Sequence, residues 1–405
     1  MILIFEMTWR GRAHTPGNAA TIATIAGAFP GAALRVFAEE THLAELKTLL
    51  VPRRGAGNIG FFPAPDPIYL QGKTGVVSAR RFLREIMTLH RALAAAPPGE
   101  PILMFLLSAT STAIFAASLL ARRDRRIKGV HIGLHGNLNE ITGWRSRNPL
   151  ARAFDLRAAM TARLGDKLRF LVLEAAIQRE LARLFPAAGA RADVLPLPIN
   201  LGEAGNLGEA GRESPPFAPP WRFGLVGQAT KDKGIDVFLD MARRMKARFG
   251  ERVEFYVVGM IRNDQDQAPF ATLAHPPDHG GLSREDFTAR LASLHYVLMP
   301  IKPDYYALSA SGAVIDAITW RKPMIGFRLP ILADLFERFG DLGELCDSAD
   351  EMAALLEERI ARPDPVRYAR EEAALEAARA SRRPETLAAT YAALVRARFP
   401  EFGAG

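Results

Sequence analysis

Cysteine is almost absent from this sequence, since Cys346 is the single one among 405 residues. An internal disulfide framework is therefore excluded, and no cluster of cysteine and histidine has the spacing of a zinc site. A lone thiol fits a reducing compartment, so we expect a cytoplasmic protein that needs no metal. Its substrates must then be held by other polar groups.

A basic leader is also absent from the opening segment, MILIFEMTWRGR, in which Glu6 interrupts the apolar residues. We expect a first β-strand there and no signal peptide. Residues 101–121 carry no charge and are long enough to span a bilayer. The polar stretch SATST divides them, which favours a buried strand followed by a helix capped within residues 108–112. A membrane-associated segment remains the alternative.

Positive charge is in excess, with a net charge of +8 and a pI near 9.8, which favours anionic partners. The segment SARRFLREIMTLHRAL predicts an amphipathic helix. Its arginines are Arg80, Arg81, Arg84 and Arg91, and its apolar residues are Phe82, Ile86, Leu89 and Leu93. Such a helix either contacts anionic lipid at the inner face of the cytoplasmic membrane or is solvated and packs on a sheet. No nucleic acid is expected, because the arginines lack interleaved exposed aromatic residues or a known motif.

Short apolar runs alternate with helical stretches along both halves of the chain, which predicts an α/β protein with parallel sheets. The alternation stops at NLGEAGNLGEAGRESPPFAPP, a repeat followed by prolines that is typical of a linker. We predict an N-terminal acceptor-binding domain over residues 1–198, a linker over 199–220 and a C-terminal nucleotide-sugar-binding domain over 221–383. Residues 384–405 are predicted to form a helix that crosses back to the first domain.

Two motifs in the second half indicate a phosphate site. In FGLVGQATKDKGIDVF, Gly227 ends a strand and Lys233-Gly234 opens a helix, so backbone and a positive charge can approach a phosphate. In YYALSASGAVIDA, Ser309, Ser311 and Gly312 stand at a helix start, where free N–H groups favour an anion. Asp316 lies one turn later on the same face and is placed to accept hydrogen bonds from ribose hydroxyls.

These motifs resemble the donor-binding domain of GT-B glycosyltransferases, in particular the large retaining family of bacterial exopolysaccharide and phosphatidylinositol sugar transferases. The likeness covers roughly residues 220–345 and includes Lys233-Gly234, Gly312, Asp316-Ala317 and Lys322-Pro323. It implies two doubly wound Rossmann-like domains facing a central cleft. It also implies that Gly281, Leu282 and Ser283 lie near the nucleotide base.

The sequence departs from the family pattern at two places. The family's arginine after the first glycine is Gln228 here, so phosphate binding rests more on Lys233. The family's first glutamate falls on Leu308, with Tyr305, Tyr306 and Ser309 nearby, and Tyr306 and Ser309 join the expected donor site. The donor sugar and the stereochemical outcome therefore stay open.

The first half resembles the family only loosely. In WRGRAHTPGNAAT, a turn of Gly11, Pro16 and Gly17 leads to Asn18 as the expected N-cap, and His14, Gly17 and Asn18 are expected on the acceptor side. In GVHIGLHGNLNEI, His135 and Gly136 end a strand, and the resemblance implies that His135 touches the donor sugar. Glu140 and Asp155 are further candidates for a base.

The sequence thus predicts a metal-independent glycosyltransferase of the hexosyltransferase class, active in polysaccharide biosynthesis. It would move a sugar from a nucleoside-diphosphate sugar, the donor substrate, to a glycan or lipid-linked acceptor, with His135, Lys233 and Asp316 as catalytic residues. No cofactor is expected. Two alternatives stay open: a nucleotide-sugar epimerase of the same architecture, and a non-catalytic two-lobed nucleotide-binding protein. The Asp-x-Asp of Asp264 and Asp266 is interpreted as a polar loop and not as a cation site.

Overall fold

The structure is a computed structural model that describes residues 1–50, 58–68, 75–135, 138–143, 145–199, 215–262, 265–302 and 307–403. The chain divides into two compact units. The N-terminal unit comprises residues 1–200 together with 382–405, and the C-terminal unit comprises residues 201–381. Most of the predicted linker lies outside the described residues.

The N-terminal unit contains a parallel sheet with the strand order β3-β2-β1-β4-β5-β6-β7. Its strands are β1 (Ile2–Glu6), β2 (Leu34–Ala38), β3 (Ile59–Pro63), β4 (Ile102–Ser108), β5 (Ile127–Gly133), β6 (Leu168–Val172) and β7 (Ala192–Val194). Its helices are α1 (Thr15–Ala28), α2 (Glu40–Leu50), α3 (Gly75–Ala94), α4 (Ser111–Arg123), α5 (Pro149–Ala153), α6 (Leu156–Thr161), α7 (Ala175–Leu184), α8 (Pro186–Gly189), α15 (Pro384–Arg398) and α16 (Pro400–Gly403).

The uncharged segment over residues 101–121 forms β4 and most of α4, as the interrupted apolar pattern predicts. All of β4 is buried, and the Thr110 side chain caps α4 by accepting a hydrogen bond from the Ala113 N–H at 3.1 Å. Among the described residues, no helix is long and apolar enough to cross a membrane.

The C-terminal helix α15 is part of the core of the N-terminal unit. Tyr391 is fully buried, its ring meets Phe105, and its hydroxyl lies 3.0 Å from the Nδ1 atom of His131 on β5. Next to it, a Cβ built at Gly129 would lie 2.4 Å from the Phe399 ring, so only glycine leaves room for that ring. The last residues of the chain therefore complete the packing of its first unit.

The C-terminal unit contains a second parallel sheet with the order β12-β11-β10-β8-β9. Its strands are β8 (Trp221–Gln228), β9 (Val253–Met260), β10 (Tyr296–Met299), β11 (Met324–Phe327) and β12 (Gly343–Cys346). Its helices are α9 (Ile235–Phe249), α10 (Arg284–Ser293), α11 (Gly312–Thr319), α12 (Pro330–Phe339), α13 (Ala349–Ala361) and α14 (Pro365–Ser381). Both units are thus Rossmann-like.

Each sheet has one place where the order of the chain reverses. In the N-terminal unit it lies between β1 and β4, and in the C-terminal unit between β8 and β10. In open α/β sheets, ligands bind outside the carboxyl ends of the strands at such switch points, because the helices on either side diverge there. The fold therefore predicts that ligand-binding residues follow β1, β4, β8 and β10.

Candidate functional site

The Lys-Gly pair after β8 has a steric explanation. Thr230 caps a short turn over Lys231–Lys233, and Gly234 then takes a φ of 76° before α9 begins. A Cβ at Gly234 would lie 1.8 Å from the carbonyl oxygen of Pro300, directly after β10. The start of α9 thus packs against the end of β10 at the switch point, at a separation that glycine alone permits.

Lys233 is folded back onto the end of β8. Gly227 has a φ of 93°, and a Cβ there would lie 2.8 Å from the Lys233 Nζ atom. Burial lowers the pKa of Lys233, and the negative charge of Asp316 opposes that shift. The side chain therefore places a partly buried positive charge beside the glycine backbone.

The start of α11 leaves N–H groups available for an anion. Ser311 is fully buried and caps the helix, because its Oγ accepts a 3.4 Å hydrogen bond from the Val314 N–H. The N–H groups of Gly312 and Ala313 have no carbonyl partner earlier in the helix. Gly312 is exposed and has open space where a Cβ would stand. Ser309 precedes the cap and is partly buried.

Asp316 lies one turn into α11, and its charge interacts with those of two cations. Its side chain is only partly accessible, and burial raises its pKa from 3.8 to about 6. The charges of Arg284 and Lys233 act against that rise in pKa. The motifs around residues 227–234 and 309–316 therefore do meet in space, and Arg284 joins them.

Arg284 is the residue of this site that sequence reasoning missed. It is the first residue of α10, after Ser283, whose Oγ accepts a 3.0 Å hydrogen bond from the Asp286 N–H. The guanidinium stands 5.3 Å from the centre of the Phe287 ring. Burial lowers the pKa of Arg284, again against the charge of Asp316. The only sequence signal was the Ser-x-x-Asp capping pattern, which places an arginine at a helix start.

The other predicted donor residues lie around this group or outside the described residues. Gly281 has a φ of 74°, and a Cβ there would lie 3.5 Å from Met260 at the end of β9, so the loop carrying Leu282 and Ser283 covers that strand end. Gln228 is exposed, whereas Leu308 is buried. Tyr305 and Tyr306 lie outside the described residues.

On the N-terminal unit, one expectation for the loop after β1 is wrong. Helix α1 begins at Thr15 with His14 at the N-cap, so Asn18 lies inside the helix and does not cap it. Asn18 is buried, and its amide has polar partners there. Its Nδ2 donates to Glu6 Oε2 at 2.9 Å and lies 3.1 Å from His42 Nε2. The His42 Nδ1–H in turn donates to the Gly11 carbonyl at 2.9 Å. Asn18 therefore helps to hold the loop after β1 in place from inside helix α1.

This polar network contains a buried carboxyl group. Glu6 accepts hydrogen bonds from the N–H groups of Thr8 and Trp9 at 2.8 and 3.1 Å. Burial nevertheless raises the pKa of Glu6 to about 7. Sequence reasoning used Glu6 only as evidence against a leader and did not consider His42, because the two are brought together by the packing of α1 and α2 beside β1.

The two predicted histidines of this unit do meet. The His14 backbone has a φ of 60°, and its ring stacks on Trp9 and meets His135 edge-on, with ring centroids 4.7 Å apart. A Cβ at Gly17 would lie 4.0 Å from the His135 ring. Burial lowers the pKa of His135 to about 3, so this imidazole is neutral near pH 7. Gly136 lies outside the described residues.

Two further acidic candidates have structural tasks. Asp155 caps α6 by accepting a 2.7 Å hydrogen bond from the Ala158 N–H, and it pairs with Arg145 at 2.8 Å. Asp266 accepts a hydrogen bond from the Ala268 N–H, and Asp264 lies outside the described residues. In the part of the chain that the structure describes, no group of three or more His, Cys, Asp or Glu is placed to hold a metal ion.

No family model matches the chain, and no curated protein does. Solved structures match nearly its whole length. Anabaena HepE in complex with UDP and glucose is 15% identical, with a TM-score of 0.60 over 98% of this chain and 99% of that one. The chain has the GT-B fold. WaaG, described as a glycosyltransferase of lipopolysaccharide biosynthesis, is 13% identical, with a TM-score of 0.59 over 98% and 99% of the two chains.

A third match is the UDP-forming α,α-trehalose-phosphate synthase of Burkholderia vietnamiensis. It is 11% identical, with a TM-score of 0.60 over 98% of this chain and 99% of that chain. All three neighbours are glycosyltransferases, two of them crystallised with UDP or described as UDP-forming. At these identities the likeness establishes the GT-B fold of this chain.

The Gly234 contact gives a testable prediction. We expect Gly234→Ala to destabilise the C-terminal unit by more than about 2 kcal/mol, because it combines backbone strain with a clash against Pro300. Gly99→Ala is the matched control: Gly99 has a similar φ of 77° but no atom within 4 Å of a Cβ. Urea unfolding of both variants measures the difference, and equal losses in the two would contradict the steric explanation.

Proposed function

We propose that the protein is a metal-independent glycosyltransferase that uses a nucleoside-diphosphate sugar as donor. The observation that carries the proposal is the convergence of Lys233, Arg284 and the amino end of α11 around Asp316, at the switch point of the C-terminal sheet. Two cations and a helix start in one place form a site for a diphosphate. Uridine diphosphate is the nucleotide to test first, since HepE was crystallised with UDP and UDP-glucose.

Charge stabilisation is the chemistry that this group of residues supplies. When the bond between the anomeric carbon and the diphosphate breaks, negative charge grows on the phosphate oxygens. Lys233, Arg284 and the N–H groups of Gly312 and Ala313 would stabilise that charge, and preorganised donors of this kind often provide the largest catalytic contribution. These donors supply the required positive potential without a metal ion.

The remaining residues would orient the substrates. Asp316 would accept hydrogen bonds from the ribose hydroxyls, and the loop of Gly281, Leu282 and Ser283 would lie along the base. His135 would contact the sugar as a neutral imidazole that donates or accepts a hydrogen bond. With a pKa of about 3 the ring does not carry a second proton at neutral pH, so it does not act as a general acid. The acceptor would be a glycan or a lipid-linked glycan bound by the N-terminal unit.

Nucleotide binding tests the proposal directly. We expect UDP or another nucleoside diphosphate to raise the melting temperature and to bind in calorimetry. Lys233→Ala and Arg284→Ala should each weaken binding about 10- to 100-fold, since hydrogen bonds to charged groups contribute about 1.5–3 kcal/mol. Lys231→Ala, an exposed lysine of the same turn, is the control and should change affinity little.

Two outcomes would contradict this assignment. Full nucleotide affinity in both variants would exclude the site, and the absence of binding by any nucleoside diphosphate would exclude the function. Incubation with a bound nucleotide sugar further distinguishes the alternatives: transfer or slow hydrolysis releases the diphosphate, whereas an epimerase returns an isomeric nucleotide sugar.

The pKa of Asp316 predicts a pH dependence. This pKa is raised to about 6, so the carboxylate that would accept from ribose is lost as the pH falls through that value. UDP affinity should therefore rise between pH 5 and about 7. Because the terminal phosphate also titrates near pH 6, the matched control is Asp316→Asn, which keeps the phosphate titration only. Identical pH profiles for the two proteins would rule out this role for Asp316.

We also propose that the outer side of α3 contacts an anionic membrane. Here the structure corrects one sequence assignment: Arg81 is buried and is not on the exposed basic face, because its side chain bonds to α4. The outward residues Val76, Leu83 and Met87 are 76%, 58% and 52% exposed. At about 100° per residue they form one stripe within about 20° of a line along the helix. Leu150 extends this apolar stripe, because its side chain lies against Gly75.

Positive charge lies near this stripe. Arg80 and Arg91 are exposed on α3, and Arg123 is exposed at the end of α4. An apolar stripe bordered by arginines is complementary to an anionic lipid surface, where each cation contributes about 1 kcal/mol.

Vesicle flotation tests this surface. The protein should bind vesicles that contain phosphatidylglycerol and should bind phosphatidylcholine vesicles at least tenfold less. Leu83→Glu with Met87→Glu should abolish binding, while Val366→Glu, a change at a 70% exposed residue of the C-terminal unit, should not. Equal binding to neutral vesicles, or unchanged binding by the double variant, would overturn the proposal.

A further inference from the structure

A cavity of about 280 Å³ lies at the switch point of the N-terminal sheet. Its walls are the residues after β1, β3 and β5, those after β4 with the start of α4, the inner side of α3, and the segment that carries α5 and α6; His135 is one of the residues after β5. All of these elements belong to the N-terminal unit. Its volume corresponds to roughly nine water molecules at about 30 Å³ each, which suits a single small ring.

Arg81 is a buried cation whose side chain lines this cavity. The residue is 8% exposed, its Nε donates to Thr112 Oγ1 at 2.7 Å, and its Nη2 contacts Ser111 Oγ at 3.5 Å. Among the described residues Nη1 makes no hydrogen bond. The Nε–Nη2 edge, which grips a carboxylate or phosphate through two parallel bonds, is occupied by protein hydroxyls. What Arg81 offers the cavity is therefore single hydrogen bonds.

Negative charge balances this cation. Glu85, also buried, lies 3.9 Å from Arg81 and accepts a hydrogen bond from Thr110 at 2.6 Å. Glu140 lines the cavity, and its charge and that of Glu85 oppose the lowering of the Arg81 pKa by burial. The carboxylate of Asp155 is a further lining group. These carboxylates would repel an anionic ligand, whereas they can accept hydrogen bonds from the hydroxyls of an uncharged one.

The walls also provide a flat ring and several hydroxyls. Trp9 lines the cavity, is fixed by a 3.2 Å bond from its Nε1 to Ser108 Oγ, and stacks on His14. Ser78 and Ser111 add hydroxyl groups. An aromatic face beside separate donors and acceptors matches a sugar ring, which has apolar C–H faces and an equatorial edge of hydroxyls.

We propose that this cavity, between Trp9, Arg81 and Glu140, binds an uncharged sugar ring. Arg81 Nη1 donates to a ring hydroxyl oxygen, Glu140 accepts from a neighbouring hydroxyl, and Trp9 covers one face of the ring. The assignment of this ring as the terminal sugar of the acceptor depends on the proposed transferase function. The sugar site itself does not.

Direct binding to the full chain, in the absence of nucleotide, tests the site. The probes are methyl glycosides of glucose, galactose, mannose and N-acetylglucosamine, compared with the matching 6-phosphates and uronic acids. We expect at least one uncharged glycoside to give saturation-transfer NMR signals and a millimolar dissociation constant. Its charged counterparts should bind at least tenfold more weakly.

Variants locate the binding. Arg81→Lys and Glu140→Gln should each weaken it about tenfold, while Arg80→Ala, an exposed neighbour on the same helix, should leave it unchanged. If Arg81→Lys fails to fold, Glu140→Gln alone decides, because Glu140 is exposed. Binding that persists in Glu140→Gln would overturn the assignment.

Parallel titration with UDP separates this inference from the proposed function. UDP binding without binding of any glycoside would refute the sugar site and leave the transferase proposal standing. Glycoside binding without nucleotide binding would refute the transferase proposal and leave the sugar site standing. Tighter binding of the sugar phosphates than of the neutral glycosides would overturn the inference in favour of an anion site.

Discussion

The candidate site in the C-terminal unit depends on one electrostatic arrangement, in which the charge of Asp316 interacts with those of Lys233 and Arg284. Both cations lose hydration, and each would be costly to hold there without a partner of opposite charge. Asp316 supplies that partner, although burial raises its own pKa to about 6. The protein can thus keep two positive charges near a helix start, which is the arrangement on which the proposed diphosphate site rests.

Backbone geometry makes this arrangement possible. Gly234 lets α9 begin in contact with Pro300, and Gly227 leaves room for the Lys233 ammonium against the end of β8. Any side chain at either position would displace the lysine or the helix start. The glycines therefore set where the charges lie, and the charges set what the site attracts.

The sequence predicted much of this arrangement because its signals are local. A strand ending in glycine, a Lys-Gly helix start and a serine-capped helix each span only a few residues, and the structure has all three. Arg284 was not predicted as a site residue, because its role depends on a charge interaction with Asp316, which lies on a different βα loop. The family's arginine is Gln228 in this chain, and the charge of Arg284 interacts with that of Asp316 from another loop. A charge supplied from another loop gives no signal in either local motif.

The same reasoning accounts for the errors in the N-terminal unit. Strand β3 was not predicted because IGFFP contains glycine and proline and lies at the sheet edge, where its residues are only partly buried or exposed. Asn18 was assigned to a cap by its residue type, but a buried asparagine can instead join Glu6 and His42. Arg81 was placed on the solvated side of α3 because arginine is rarely buried. The exception needs partners from α4 that sequence periodicity does not reveal.

Helix α3 shows why the burial of Arg81 is informative. Its outer side presents Val76, Leu83 and Met87, whereas its inner side presents Arg81 to a cavity and buries Glu85 beside it. Burying an ion pair costs more than burying leucine of similar volume, so a purely structural helix gains nothing from the pair. A polar inner side is explained if the cavity holds a polar ligand. An apolar outer side with arginines around it is explained if that ligand is carried on a lipid. One helix would then hold the membrane and the acceptor sugar about one helix diameter apart, roughly 10 Å.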